Sequence, residues 1–216
     1  MKIKIIFAMA VALLLGIPAA QAEDFYVLGS IGQSKIKGLG SADEYTAGLT
    51  GAGLTGVSAN VDDSDTAYKL QLGYQFNKYF ALEGGYFDLG KAGVNGQFTG
   101  GRYDFTFKAS GVNVSALGIL PLSDDFSIFG KLGAAYTSAK ADSFATATGG
   151  GSVTGVASDH DKSNKVGAVY GVGVNYNISQ MFAVRAEYER YNKIGGDDLG
   201  GDVDVDVMSV GVAFKF

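Results

Sequence analysis

The stretch YKLQLGYQFNKYFALEGGYF (Tyr68–Phe87) contains two alternating segments separated by a short polar turn, Asn77–Tyr79. In the first segment, apolar or aromatic side chains occupy every even position from Tyr68 to Phe76, and polar or small residues lie between them. This period of two predicts β-strands with two unlike faces. The period alone does not determine whether the aromatic face lies in a core or against lipid.

Similar segments recur along the chain, and we predict eight strands: Phe25–Ser34, Thr66–Phe76, Phe80–Asp88, Phe105–Leu120, Phe126–Ala139, Lys165–Ile178, Phe182–Tyr191 and Val203–Phe216. Short turns alternate with four long connections, which we predict to be loops: Lys35–Asp65, Leu89–Asp104, Lys140–Asn164 and Asn192–Asp202. Short turns at one end and long loops at the other are typical of transmembrane barrels, whose short turns face the periplasm.

Five charged residues of these strands lie on the face opposite to the aromatic residues. If the aromatic face points outward, five charged side chains point inward: Lys69, Glu83, Lys131, Arg185 and Glu187. A basic residue that faces lipid costs about 2–4 kcal/mol at the bilayer midplane. The distribution therefore favours a barrel with lipid outside and charge inside. A soluble sandwich with a charged, solvated face has the same strand pattern and is the alternative.

The N-terminus has the features of a secretory signal peptide. Two lysines precede an apolar run, Ile5–Leu15, and the small-residue sequence Ala20–Ala22 follows. This order predicts that residues 1–22 are removed and that residues 23–216 form a single barrel domain, with no periplasmic domain after the last strand. No later stretch approaches the roughly 20 apolar residues of a transmembrane helix. Strands must therefore make any membrane crossing.

The composition argues against several classes of function. The 216 residues include 33 glycines and no cysteine, so disulfides, thiol catalysis and thiolate metal sites are not expected. The formal charge of −5 becomes more negative when the two lysines of the signal peptide are removed. An acidic chain is a poor partner for nucleic acid.

Residues suited to catalysis or metal binding are few. His160 is the only histidine and lies in a predicted loop, so we expect no histidine metal cluster, no cofactor and no catalytic residue. A lipid-A-modifying enzyme is therefore a minor alternative. Asp202, Asp204 and Asp206 share one strand face, where they either bind a divalent cation or form a solvated strand extension. The second interpretation is favoured.

Two segments change phase. Apolar residues are odd-numbered within Val203–Val207 and even-numbered within Met208–Val212, which predicts a bulge or a change of environment near Val207. A similar change in the fourth predicted strand makes Gly111 the candidate for a register shift.

The C-terminal stretch MSVGVAFKF (Met208–Phe216) also alternates. It ends on an aromatic residue, with another aromatic residue two positions earlier and a glycine five positions earlier. This pattern resembles the terminal assembly signal of outer-membrane barrels. By that resemblance, Gly211, Phe214 and Phe216 would be recognised by the barrel-assembly machinery.

Three longer segments resemble the small eight-stranded barrels similar to the membrane domain of outer membrane protein A and the opacity-type surface proteins: Leu72–Ala92, Gly111–Tyr136 and Val172–Tyr191. With both ends of the chain, the resemblance covers nearly all predicted strands and none of the loops. It implies an all-β fold, an eight-stranded antiparallel up-and-down transmembrane β-barrel. It also implies location in the cell outer membrane, in contact with outer-membrane lipid and lipopolysaccharide.

The resemblance further implies a salt bridge inside the barrel, between Glu83 and Arg185. Lys131 and Glu187 are candidates for further members of this network. The chain departs from the family pattern at two inward positions that are uncharged here, Leu117 and Asn175.

The leading functional prediction is a structural, surface-display protein whose long loops contact host or other surface ligands. An eight-stranded barrel is filled by its own side chains, so an open pore is not expected. A narrow, low-conductance channel is the alternative, because several inward positions are glycines that leave room for water: Gly73, Gly85, Gly133, Gly167, Gly171 and Gly173.

Overall fold

The computed structural model describes residues 25–149, 152–196 and 201–216. The predicted signal peptide, residues 1–22, lies outside the described residues. The described ranges contain one helix and nine strands: β1 Phe25–Lys37, α1 Ala42–Gly51, β2 Ser58–Asp62, β3 Ser64–Asn77, β4 Phe80–Phe98, β5 Gly101–Pro121, β6 Phe126–Gly149, β7 Ser152–Asn177, β8 Phe182–Gly196 and β9 Gly201–Lys215. No helix in these ranges has the length and apolar character to cross a membrane.

Eight of the strands close into an antiparallel barrel. From β3 to β9 each strand pairs with its neighbour in sequence, and β1 pairs with both β3 and β9. This ring confirms the predicted eight-stranded, up-and-down barrel. The remaining strand, β2, pairs with the part of β4 between Gly93 and Gln97.

The strands continue far into the segments predicted to be loops. β6 and β7 pair as far as Gly149 and Ser152, so most of Lys140–Asn164 is a paired hairpin and the loop prediction was wrong there. β4 and β5 likewise pair as far as Phe98 and Gly101. The Gly, Ala, Ser and Thr residues of these hairpins give little hydrophobic alternation, whereas the pairing itself needs only backbone hydrogen bonds.

The first long connection contains a helix that the strand pattern did not predict. Helix α1 begins after Ser41, whose hydroxyl accepts a hydrogen bond from the backbone N–H of Glu44. The Glu44 side chain accepts one from the backbone N–H of Ser41. This reciprocal capping box fixes the start of the helix.

In the half of the barrel near the short turns, the outer face is apolar. Leu132, Val172 and Met208 are each more than 60% exposed, as expected for side chains that lipid covers. Exposed aromatic residues lie near both ends of this apolar surface, including Phe76, Phe80, Tyr176 and Phe182 near the short turns and Tyr68, Tyr136 and Tyr188 towards the long hairpins. These positions match the two interfacial girdles of a membrane barrel.

Beyond Tyr136 and Tyr188 the two faces exchange their chemistry. The inner face becomes apolar and forms one buried cluster, the apolar cap: Ile36, Ala67, Phe87, Leu89, Ala92, Phe107, Ala109, Ala135, Ala139, Val169, Tyr191, Ile194, Val205 and Val207. The rings of Phe87 and Tyr191 pack at its centre, 4.6 Å apart. The barrel above the apolar surface is therefore built like a soluble barrel, with its core inside.

This exchange explains both changes of phase in the sequence. β9 pairs with β1 without interruption between Asp204 and Lys215, so Val207 marks a change of environment and no bulge in β9. β5 pairs with β6 without interruption through Gly111, and the predicted register shift there was wrong. In the β8–β9 hairpin the register break lies in β8, next to Lys193, whose φ is 57°.

Candidate functional site

The charged residues predicted to face inward come together halfway along the lumen. They are Lys69 from β3, Glu83 from β4, Lys131 from β6, and Arg185 and Glu187 from β8, and each is 5% exposed or less. Glu189, also from β8, joins them and is fully buried. We call these six residues the lumen network.

Arg185 and Glu83 are in direct contact at the centre of this network. The guanidinium Nη1 contacts Glu83 Oε1, and the Tyr26 hydroxyl donates to the same oxygen at 2.5 Å. Arg185 Nε donates to Asn175 Oδ1 at 2.7 Å, and the guanidinium carbon lies 4.6 Å from the centre of the Phe129 ring. Both ionic groups therefore have additional polar or aromatic partners, which a buried ion pair requires.

The two lysines link the remaining carboxylates. Lys131 Nζ lies 2.9 Å from Glu83 Oε2 and 3.0 Å from Glu189 Oε1, and it also contacts Glu187. Lys69 Nζ donates to Glu187 Oε2 at 2.5 Å and contacts Glu189. Three cations thus face three carboxylates, and every charge has an opposite charge beside it.

Sequence reasoning missed Glu189, although its signal was present. Glu189 has the same parity as Arg185 and Glu187 on one strand, and alternation places all three on the inner face. The two departures from the family pattern have different outcomes. Asn175 accepts the Arg185 hydrogen bond, whereas Leu117 is buried against Ala81 and Phe129.

Aromatic rings fill the space that two of the inward glycines leave. A Cβ atom built on Gly73 would collide with the ring of Tyr26, and one built on Gly173 would collide with the ring of Phe129. These glycines therefore make room for side chains of the neighbouring strands.

The lumen opens only partly, at the end with the short turns. A vestibule of about 330 Å³ is lined there by residues that include Arg185, Asn177 and Lys215. Lys215 Nζ donates to Asn177 Oδ1 at 2.8 Å. The lumen network and the apolar cap lie between this vestibule and the long hairpins.

His160 lies outside the lumen. It is exposed on the β6–β7 hairpin, where its Nδ1 is 2.7 Å from Asp142 Oδ1. The hydrogen bond with His160 holds the pKa of the Asp142 carboxyl below its usual range. Within the described ranges, no group of three or more His, Cys, Asp or Glu side chains is placed to hold a metal ion.

The three aspartates on one face of β9 have separate partners. Asp202 binds Lys165 at 2.6 Å, and Asp204 accepts the backbone N–H of Lys193 at 3.2 Å. Asp206 accepts two hydrogen bonds from Arg190, at 2.5 and 2.8 Å. These bonds from Arg190 lower the pKa of Asp206. The arrangement matches a charged strand extension in water.

The residues of the predicted assembly signal lie where the barrel closes. Phe214 packs between Phe182 and Phe216, with ring centres 5.2 and 5.0 Å apart. The backbone N–H of Phe216 donates to the Phe25 carbonyl at 3.0 Å. Gly211 lies opposite Ser30, and its missing Cβ leaves room for the Ser30 hydroxyl. Their recognition by assembly machinery stays a prediction.

Comparisons with known proteins agree with this architecture. Residues 20–216 match the OmpA-like transmembrane domain family. Outer membrane protein A of Salmonella typhi is 35% identical over 145 residues, and that of Shigella flexneri is 36% identical over 145 residues. Each alignment covers 67% of this chain and 38% of the relative, so the match spans well under half the length of these relatives.

Among solved structures, Neisserial surface protein A superimposes with a TM-score of 0.52 at 19% identity. The superposition covers 89% of this chain and 97% of that protein. At this identity the similarity shows a shared fold and nothing about a shared ligand.

Proposed function

This chain belongs to the OmpA-like transmembrane domain family of bacterial outer-membrane barrels, and from that premise we propose that it is a sealed scaffold that displays its long hairpins at the cell surface. There the hairpins bind host or other surface ligands. The observation that carries the proposal is the exchange of faces above the girdle of Tyr136 and Tyr188. A barrel wall that continues beyond the apolar surface with a packed core inside supports hairpins standing in water.

The filled lumen favours a scaffold over a channel. An ion crossing the barrel would have to pass the lumen network, where every charge already has a partner, and then the apolar cap around Phe87 and Tyr191. Apolar constrictions oppose ion passage because water leaves them.

We propose that assembly uses the C-terminal strand. Gly211, Phe214 and Phe216 would present one edge of β9 to the barrel-assembly machinery before β9 pairs with β1. Their packing at the seam is consistent with this role.

Planar bilayers containing the purified protein are expected to show no steady current. The folded state is checked first on gels, where an unboiled barrel migrates differently from a boiled sample. Discrete currents that change when Arg185 or Glu83 is substituted would favour the narrow channel and contradict the sealed scaffold.

Shortening a long hairpin is expected to abolish most adhesion of bacteria that display the protein, because loops carry specific binding on such scaffolds. In one variant an Asn-Gly turn replaces the segment Phe144–Ser158. The two end residues of this segment, Phe144 and Ser158, lie opposite each other on β6 and β7, so a short turn can join the remaining strands. A second variant shortens the connection between Lys37 and Ser64. Adhesion is measured on epithelial cells and on immobilised matrix proteins.

The control variant is changed only in the short turn Leu122–Asp125, at the other end of the barrel, and should adhere like the parent. All variants must keep the mobility shift of a folded barrel. Full adhesion in both hairpin variants would remove the display role.

A further inference from the structure

Four lysines form a continuous row across the outer face of the barrel. Lys91 on β4 lies opposite Lys108 on β5, which lies opposite Lys140 on β6, which lies opposite Lys162 on β7. Neighbouring strands are about 4.8 Å apart, so the row is about 14 Å long. Its members point outward, because residues next to them in sequence are buried on the inner face: Ala92, Phe107, Ala109, Ala139 and Ala141 among them.

The lysine row runs parallel to the upper edge of the apolar surface. On the same four strands the outward apolar or aromatic residues at this edge also form one register row: Tyr86, Val112, Tyr136 and Val166. The lysine row lies two outward positions beyond this edge. For a strand tilted by about 40°, two outward positions correspond to about 10 Å along the membrane normal.

That height is just beyond the polar layer of a membrane. The headgroup region beyond the hydrocarbon is roughly 5–8 Å thick on each side. A lysine side chain extends its ammonium group along a surface to reach a favourable environment. The four ammonium groups can therefore reach the phosphates of the leaflet on the side of the long hairpins.

The row has few anionic partners of its own. In the described ranges its only ion pair is that of Lys108 with Asp142, at 3.8 Å, and Asp142 is shared with His160. Like charges that lie directly opposite each other on neighbouring strands destabilise a sheet. A bound polyanion would offset that repulsion.

Two lysines on the opposite side of the barrel show the contrast. Lys35 pairs with Asp63 at 3.3 Å, and Lys37 pairs with Asp206 at 3.7 Å. Both also lie on an outward face above the apolar surface, but their charges are already balanced. Within the described ranges, three of the four lysines of the row on β4–β7 thus lack the ion pair that Lys35 and Lys37 each have.

We propose that the lysine row binds the phosphate groups of a phosphorylated glycolipid of the lipid A class, with the acyl chains lying against the row from Tyr86 to Val166. The inference rests on the proposed function, because hairpins outside the cell place the row in the outer leaflet. It adds a specific surface, one side of the barrel, and a specific chemistry, phosphate on a fatty-acylated sugar.

The test compares two double variants of the full chain, folded in nonionic detergent, for binding to diphosphoryl lipid A. Loss of two surface charges in Lys140→Gln/Lys162→Gln should weaken binding about 30-fold. The control Lys35→Gln/Lys37→Gln removes the same charge and should change binding by less than about threefold, since its lysines are paired. Unchanged binding in the first variant, or equal losses in both, overturns the proposal.

A second measurement distinguishes lipid-bound phosphate from a free phosphate or sulfate ion. Diphosphoryl lipid A in vesicles should raise the thermal unfolding midpoint of the parent but not of Lys140→Gln/Lys162→Gln, and dephosphorylated lipid A should raise neither. Inorganic phosphate and soluble heparin are also tested as competitors, at a phosphate or sulfate concentration equal to that of lipid A. Full competition by either one would mean that the row binds a soluble anion, and it would contradict binding of a lipid.

The result of the lipid A binding test does not depend on the result of the adhesion test. The row variant keeps both hairpins intact, so loss of lipid A binding with normal adhesion supports the row. Normal lipid A binding together with full adhesion in both hairpin variants would reject the display function and leave the row standing.

Discussion

Replacement of Arg185 by methionine is expected to lower the free energy of unfolding by about 3–5 kcal/mol, the usual cost of breaking a buried ion pair by removing one partner. Methionine keeps much of the side-chain volume, so the loss reports mainly on charge. The variant leaves two cations facing three carboxylates in the lumen, and it removes the bond to Asn175 and the contact with Phe129. Urea titration of the protein in lipid vesicles measures the loss.

The double variant Glu83→Gln/Arg185→Met should lose less than the single variant, because it restores charge balance between the two lysines and the other two carboxylates. Neighbouring residues of one network typically show coupling energies of about 0.5–3 kcal/mol. Additive losses would contradict direct pairing. Lys35→Met is the control. Its ion pair with Asp63 is exposed on the outer surface, where such a pair contributes about 1 kcal/mol or less.

Replacement of Phe87 by alanine is expected to cost about 3–5 kcal/mol, as for large aromatic residues in the cores of soluble proteins. Phe87 is fully buried in the apolar cap, where its ring packs against Tyr191, so truncation leaves a cavity. Urea titration in vesicles again gives the loss. The mobility shift confirms that the variant folds.

The control for this substitution is Phe80→Ala on the same strand. Phe80 is 59% exposed near the short turns, where lipid fills the space that the ring leaves. The Phe80→Ala substitution should lower the free energy of unfolding by clearly less than Phe87→Ala does. Equal losses at both positions would mean that the cap is not a packed core, and the barrel beyond the girdle would then lack its main source of stability.

Much of the fold could be predicted from local pattern. Alternation from Tyr68 to Phe76, with Lys69 between Tyr68 and Leu70, is a property of one strand and needs no partner. The same parity placed Glu83 and Arg185 on inner faces, where the structure has them in contact. Sequence reasoning failed where alternation weakens, in the Ala- and Thr-rich strands after Lys140, because backbone pairing leaves no hydrophobic signature there.

By itself the sequence determined the number of barrel strands, the face that lipid covers and the end with short turns. These follow from the period of each strand, from the face on which its charged residues lie and from the length of each connection. Tertiary structure decided which residues of different strands lie next to each other. Only the register of four strands aligns Lys91, Lys108, Lys140 and Lys162, and only closure of the barrel turns Phe87 and Val205 into parts of one core. The physical reason is that register depends on backbone hydrogen bonds between distant segments, which no single segment encodes.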